Sequence, residues 1–179
     1  METVTSWLVR PKESIHDLDN IHLASLSTTE RAQGVEASFR LDYLIIEGHS
    51  RDSSNNAPTS GLQLQLVDHK GASVCDTMVV ANLGYFQLKA PYPGSFGLEI
   101  RDERGKEVFS MESAGNSGFF SPNITEVGNQ ISLISLDGLT LYPRFRKKPG
   151  MEREDVLTPS PEKRNSNQAN NPLAGVYNK

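Results

Sequence analysis

An antiparallel β-sandwich is the architecture to expect from this chain, and three features point to it. Apolar residues recur at every second position in Phe86 and Leu88, and again in Phe96, Leu98 and Ile100, which places each set on one face of a strand. Turn formers bound these runs, Asn82-Leu83-Gly84 before the first and Pro91-Tyr92-Pro93-Gly94 between the two. Strand-like runs recur about every ten residues, with no helix of ordinary length among them. About eight strands over roughly 110 residues is the size of a sandwich, all-β in class, here with a flexible segment at each end.

Residues 1–35 are mostly polar and read as an irregular approach segment, although Ser27-Thr28-Thr29-Glu30 has the form of a capping box that starts one helical turn before Gly34. The sandwich is expected over residues 36–146. Phe39, Leu41, Tyr43 and Ile45 alternate on one face of a central strand, with Leu44 and Ile46 adding apolar contacts on the other. Arg51 to Ser60 combines turn formers with almost no apolar residue, the composition of a mobile surface loop. Leu62, Leu64 and Leu66 alternate with Gln63 and Gln65, an inside face and a wet face, before Asp68-His69-Lys70-Gly71 turns the chain. Val74 to Ala81, Tyr85 to Lys89, Phe96 to Arg101 and Lys106 to Met111 continue the meander, with Glu103-Arg104-Gly105 as a tight turn. Gln130 to Leu136 and Leu139 to Phe145 form a closing hairpin across Asp137-Gly138. From Lys147 to Lys179 the chain carries too little apolar surface to offset the entropy of ordering, and a disordered linker or tail follows.

Charge is uneven. Residues 1–142 carry 10 Lys and Arg against 18 Asp and Glu, whereas residues 143–179 carry 8 against 4. An acidic body does not suit nucleic acid, since phosphate binding needs a cationic face that releases counterions. The short basic cluster Arg144, Arg146, Lys147, Lys148 reads as a solvated strand end. No run of about twenty apolar residues is present, so no membrane partner is expected. Cys75 is alone, which rules out an internal disulfide, and its neighbours Val74 and Met78 suggest a buried thiol. A nucleophilic role would need a base such as His69 or His49 brought to it.

The wording of several segments resembles a known family. Val79-Val80-Ala81-Asn82-Leu83-Gly84-Tyr85-Phe86-Gln87-Leu88-Lys89-Ala90 looks like a stretch of the UDP-glucose:glycoprotein glucosyltransferases. Trp7-Leu8-Val9 with Asp17-Leu18-Asp19-Asn20-Ile21, then Tyr43 to His49 leading to Gly61-Leu62-Gln63-Leu64, are similar to that family in the same order. So are Leu141-Tyr142-Pro143-Arg144, Lys148-Pro149-Gly150-Met151-Glu152 and Glu154-Asp155-Val156-Leu157, which extends the resemblance over residues 7–157. The resemblance implies a β-sandwich between redox-like, substrate-sensing domains and a C-terminal glucosyltransferase domain. It also implies that the catalytic site, where UDP-glucose and a divalent metal bind, lies outside these residues. On that reading the chain binds no cofactor, does not transfer glucose alone, and has the neighbouring domains of a parent enzyme and misfolded glycoproteins as partners. The family works in the endoplasmic reticulum lumen, whereas the N-terminus as written has no apolar segment of secretory length and would leave the chain in the cytosol.

Candidate sites are few. Asp17-Leu18-Asp19 spells the DxD of a metal–diphosphate site but precedes the first convincing strand, so it reads as a chance string. His16, His22, His49 and His69 lack zinc-site spacing, and Gly115-Asn116-Ser117-Gly118 lacks the lysine of a phosphate loop. Asn123-Ile124-Thr125 satisfies the N-glycosylation rule. Tyr92, Phe119 and Phe120 are the aromatics expected to be exposed, and thus the candidates for contact with a misfolded client. Two other readings compete: a free-standing transthyretin-like or carboxypeptidase-regulatory-like binding module, which Gly84-Tyr85-Phe86 and Pro93-Gly94-Ser95-Phe96 fit equally well, and a truncated inactive gene product.

Overall fold

A computed structural model describes residues 4–158, with the side chain of Phe119 outside that description. Its strands are β1 (Trp7–Ser14), β2 (Ala37–His49), β3 (Arg51–Asp52), β4 (Gln63–Val67), β5 (Ser73–Met78), β6 (Tyr85–Ala90), β7 (Gly94–Ile100), β8 (Phe109–Ser113), β9 (Gln130–Leu133), β10 (Leu139–Leu141) and β11 (Arg144–Lys147). Three short helices interrupt them, α1 (Thr28–Gln33), α2 (Glu103–Val108) and α3 (Ile124–Val127). The all-β expectation holds. Eleven strands replace about eight among the described residues, because β1 and β3 were unforeseen and Tyr142-Pro143 splits the last expected strand in two.

The central element is β2. Leu44 pairs with both Trp7 and Ala90, and Ile46 with both Leu88 and Leu139, so β6 must run along one edge of β2 and β1 followed by β10 along the other. A second sheet has the order β5-β4-β7-β9, antiparallel throughout, and a third joins β3, β11 and β8. All three sheets contribute to one apolar core. Leu64 and Leu66, Phe86 and Leu88, Phe96 and Leu98, and Ile131 and Leu133 are each fully buried, as period-2 alternation demands. Burying one such side chain stabilises the fold by about 1.5–3 kcal/mol.

Of the alternating residues expected on one face of β2, only Ile45, 7% exposed, is buried. Phe39, Leu41 and Tyr43 are 40%, 38% and 36% exposed, whereas Leu44 and Ile46 are 1% and 0% exposed. The reason is geometric: residues 37–43 pair with β1 alone, forming a two-stranded ribbon outside the core, and only from Leu44 does β2 gain β6 as a second neighbour. The ribbon also places Trp7–Ser14 in a strand where irregular chain was expected. Its base is tied by Trp7 Nε1–H donating to Leu136 O (2.7 Å), the Ser6 hydroxyl to Asp137 O (2.6 Å) and Ile45 N–H to Ser6 O (2.8 Å).

Those bonds explain why Asp137-Gly138 is not a hairpin. β9 pairs with β7 in one sheet and β10 runs parallel to β2 in another, so the turn carries the chain between sheets. The stretch expected as a strand from Lys106 begins instead as α2. Asp102 caps that helix through a 2.8 Å bond from Gly105 N–H, and Gly105 is so close to Leu62 and Ile100 that a Cβ would meet both at 2.8 Å.

The segment Arg51 to Ser60 is likewise ordered. β3 pairs parallel with β11, Ser50 and Thr59 are buried with their hydroxyls bonded, and Asp52 N–H donates to Ala57 O (2.8 Å). Nor does order end at Lys147. Arg104, a residue expected in a turn, reaches the chain that follows β11 through its bonds to Asp155 O (3.3 Å), Thr158 O (3.1 Å) and the Glu154 carboxylate. Met151 and Val156 pack on the core, and Leu157 covers Gly61. The remainder of the expected tail, residues 159–179, lies outside the described residues.

The capping box forms as the sequence predicts. The Ser27 hydroxyl accepts from Glu30 N–H (3.2 Å), the Glu30 carboxylate accepts from Ser27 N–H (2.7 Å), and His16 Nε2 lies 2.8 Å from the same carboxylate. Hydrogen bonds from Ser27 first, and His16 second, hold the Glu30 carboxyl at about 2, well below its ordinary 4.5.

Three outcomes test this description. Phe86→Ala or Leu98→Ala should cost about 2–5 kcal/mol in a chemical or thermal melt, and no shift for either would remove the packing argument. Gly48→Ala should destabilise by about 1–3 kcal/mol or more, because its Cβ would stand 2.1 Å from Leu141 O. Because the folded-state pKa of Glu30 is depressed, its stabilising contribution is complete above about pH 4.5 and disappears as pH falls toward about 2. An NMR titration of the Glu30 carboxyl should therefore show a midpoint near the lower value, moving up in Ser27→Ala. An ordinary carboxylate midpoint would mean that the cap does not form.

Candidate functional site

Of the three aromatics expected at the surface, Tyr92 and Phe120 are exposed, at 52% and 94%. Tyr92 sits in the turn between β6 and β7, its ring tilted against buried Phe96 with centroids 5.6 Å apart. Phe120 ends the 3₁₀ turn Gly118–Phe120, which the Ser121 hydroxyl closes by donating to Gly118 O (2.9 Å). Phe119 belongs to the same turn. Among the described residues no ring contact joins Tyr92 to Phe120, so these are two separate projections and not one patch.

A larger apolar surface lies on the β1–β2 ribbon. Leu8 stands opposite Tyr43, Val9 opposite Leu41 and Pro11 opposite Phe39, and residues directly opposite in an antiparallel pair share a face. A bulge between Leu8 and Val9 keeps the apolar side chains of β1 in step with those of β2. The reverse face is charged. Arg10 and Arg40 both grip Asp42, at 2.5 and 3.1 Å, and the hydrogen bond from Arg10 leads the interactions that lower the Asp42 pKa. The Phe39-Leu41-Tyr43 alternation carried the signal for this surface, but alternation alone does not reveal whether a second sheet covers it.

A polar cleft of about 430 Å³ opens between β8, β11 and α3, lined by Ser53, Asn56, Glu112, Ser121, Asn123 and Arg144. Its charges are fixed by the fold: Glu112 is bound to Arg146, which holds its carboxyl below the usual range, and Arg144 Nη1 donates to Asn56 Oδ1 (2.7 Å). Asn123, exposed at the rim, caps α3. Its Oδ1 accepts from Thr125 N–H and from the Thr125 hydroxyl, each at 3.0 Å.

Other candidate groups take structural positions. Cys75 is half-buried on β5 opposite Leu66, and burial pushes its thiol pKa up, away from nucleophilic use. His49 Nδ1 lies 3.3 Å from Leu83 O, and its ring is stacked near Tyr142 and tilted against Tyr85. The Tyr85 hydroxyl donates to Glu47 (2.8 Å) and has its pKa raised, chiefly by burial. Asp17 and Asp19 are in a turn, where Asp17 Oδ1 accepts from Asp19 N–H (3.2 Å). Among the described residues no group of three His, Cys, Asp or Glu side chains converges on a metal position, and no helix is long and apolar enough to cross a membrane.

The comparisons agree with one another. Residues 47–158 match the family profile described as UDP-glucose:Glycoprotein Glucosyltransferase. The chain is 36% identical over 159 residues to the UDP-glucose:glycoprotein glucosyltransferase of Drosophila melanogaster, a match covering 88% of this chain and 10% of that protein. To UDP-glucose:glycoprotein glucosyltransferase 1 of Homo sapiens it is 34% identical over 158 residues, again 88% of this chain and 10% of the relative. The second human enzyme, UDP-glucose:glycoprotein glucosyltransferase 2, is 34% identical over 163 residues, with 91% and 10% covered. The chain thus spans about a tenth of the length of the curated relatives it matches. Since the profile runs from the end of β2 through the chain that closes over the core after β11, and the relatives match over 88% of the chain, the shared sequence covers most of the sandwich, and the chain belongs to the UDP-glucose:glycoprotein glucosyltransferase family.

Proposed function

We propose that this chain is a non-catalytic β-sandwich portion of a UDP-glucose:glycoprotein glucosyltransferase. The parent enzyme would transfer glucose from UDP-glucose to high-mannose glycans of misfolded glycoproteins during quality control in the endoplasmic reticulum lumen. The observation that carries this reading is where the family match falls: on strands whose inward side chains fill one apolar core, in a chain spanning about a tenth of its relatives. A sheet interior packed with Leu, Ile and Phe is scaffold. The chemistry of sugar transfer, with its divalent metal, belongs on this reading to a domain beyond these residues, and the chain itself holds no cofactor.

The ribbon supports the same reading. Six apolar residues on one face of a two-stranded ribbon, with a charged clamp behind them, are suited to burial against another domain of the parent. The neighbouring domains are thus the first partners. Misfolded glycoproteins are the second, through the projecting Tyr92 and Phe120 with Phe119 beside it.

The test is direct. The purified chain, incubated with radiolabelled UDP-glucose, Mn²⁺ or Ca²⁺, and a denatured high-mannose glycoprotein, should transfer no glucose above background. Metal-dependent transfer by the chain alone would overturn its assignment as a scaffold piece.

A further inference from the structure

We propose that Asn123 is the acceptor of an N-linked oligosaccharide, an inference that rests on the luminal location proposed above. In the whole 179-residue sequence, Asn123-Ile124-Thr125 is the single Asn-X-Ser/Thr triplet with X other than proline. The fold displays it. Asn123 is exposed and extended, with φ −67° and ψ 144°, and α3, which it caps, has no buried residue. A bulky substituent at this point displaces no core side chain.

The local bonds decide compatibility further. Both contacts that Asn123 makes to Thr125 use Oδ1, so neither occupies the amide nitrogen. In the transfer, Nδ2 forms a bond to the anomeric carbon of an oligosaccharide carried on a lipid diphosphate. The amide loses one proton to a base of the transferring enzyme, and the diphosphate leaves with the electron pair of the broken carbon–oxygen bond. Oδ1 is untouched, so the modified residue still caps the helix. The polar cleft beside it then gives the first sugar open space bordered by Ser53, Glu112 and Arg144, groups suited to sugar hydroxyls.

The experiment expresses the full chain behind a cleavable secretory leader in animal cells, with protection from added protease as the control for entry into the lumen. The protected chain should shift down on a gel after peptide N-glycosidase treatment, with aspartate found at position 123 of the released peptide. Asn123→Asp keeps the capping oxygen but removes the amide, and should abolish the shift without lowering Tm. Thr125→Ala should also abolish it, whereas Thr125→Ser should retain part of it. A protease-protected chain that shows no shift overturns the proposal while leaving the luminal reading intact. To test the luminal reading itself, the natural product is followed in its source cells: a cytosolic, unmodified product would overturn that reading and the glycan together.

Discussion

The arrangement of the sheets depends on one close approach, where Gly48 of β2 meets Leu141 of β10. With no Cβ at residue 48, the two backbones lie side by side and the ring of Phe86 closes over the gap, its Cζ only 2.9 Å from where a Cβ would stand. That contact lets β10 join β2 in parallel, which brings the chain back to the first sheet after its excursion through β7 and β9. The return then sets β11 between β3 and β8 and so builds the third sheet. A second glycine guards the neighbouring corner. Gly84 has φ +67° and accepts from Ser50 N–H (2.8 Å), and a side chain there would press on Ser50 O at 2.5 Å. Both glycines stand in the segments that resemble the family, and at both a side chain would meet backbone atoms.

Much of the meander was legible because its signals are local. Phe86, Leu88, Phe96 and Leu98 announce their burial by spacing, the Asp68 turn by residues whose carboxylate bonds the next N–H groups, and α1 by its capping box. What escaped was set by partners distant in sequence. Trp7 is a strand residue because Leu136 O, 129 positions away, accepts its indole N–H. Residues 148–158 are ordered because Arg104 lies beneath them, 13% exposed, with each of its three guanidinium nitrogens answered by a carboxylate or a carbonyl. No window of a dozen residues contains either pair. The exposure of Tyr92 and Phe120 was legible for the opposite reason, since each sits in a turn too short to cover it.

The ribbon shows how one pattern can carry two meanings. Phe39, Leu41 and Tyr43 alternate as strictly as the core strands do, and a strand buried on one side by its own chain has the same sequence as one buried by another. The difference lies in length. β2 runs for thirteen residues, but β6 reaches only its last six, so the first seven project with β1 as their one neighbour. An isolated two-stranded ribbon is marginal in water. Here Asp42 clamps Arg10 to Arg40 across the strands on the charged face, a tie that holds the ribbon extended while its apolar face stays open. The outcome is a strand pair tied by charge on one side and apolar on the other, continuous with the core strand of the domain, so the alternation of Phe39, Leu41 and Tyr43 ends at the surface and that of Leu44 and Ile46 in the core.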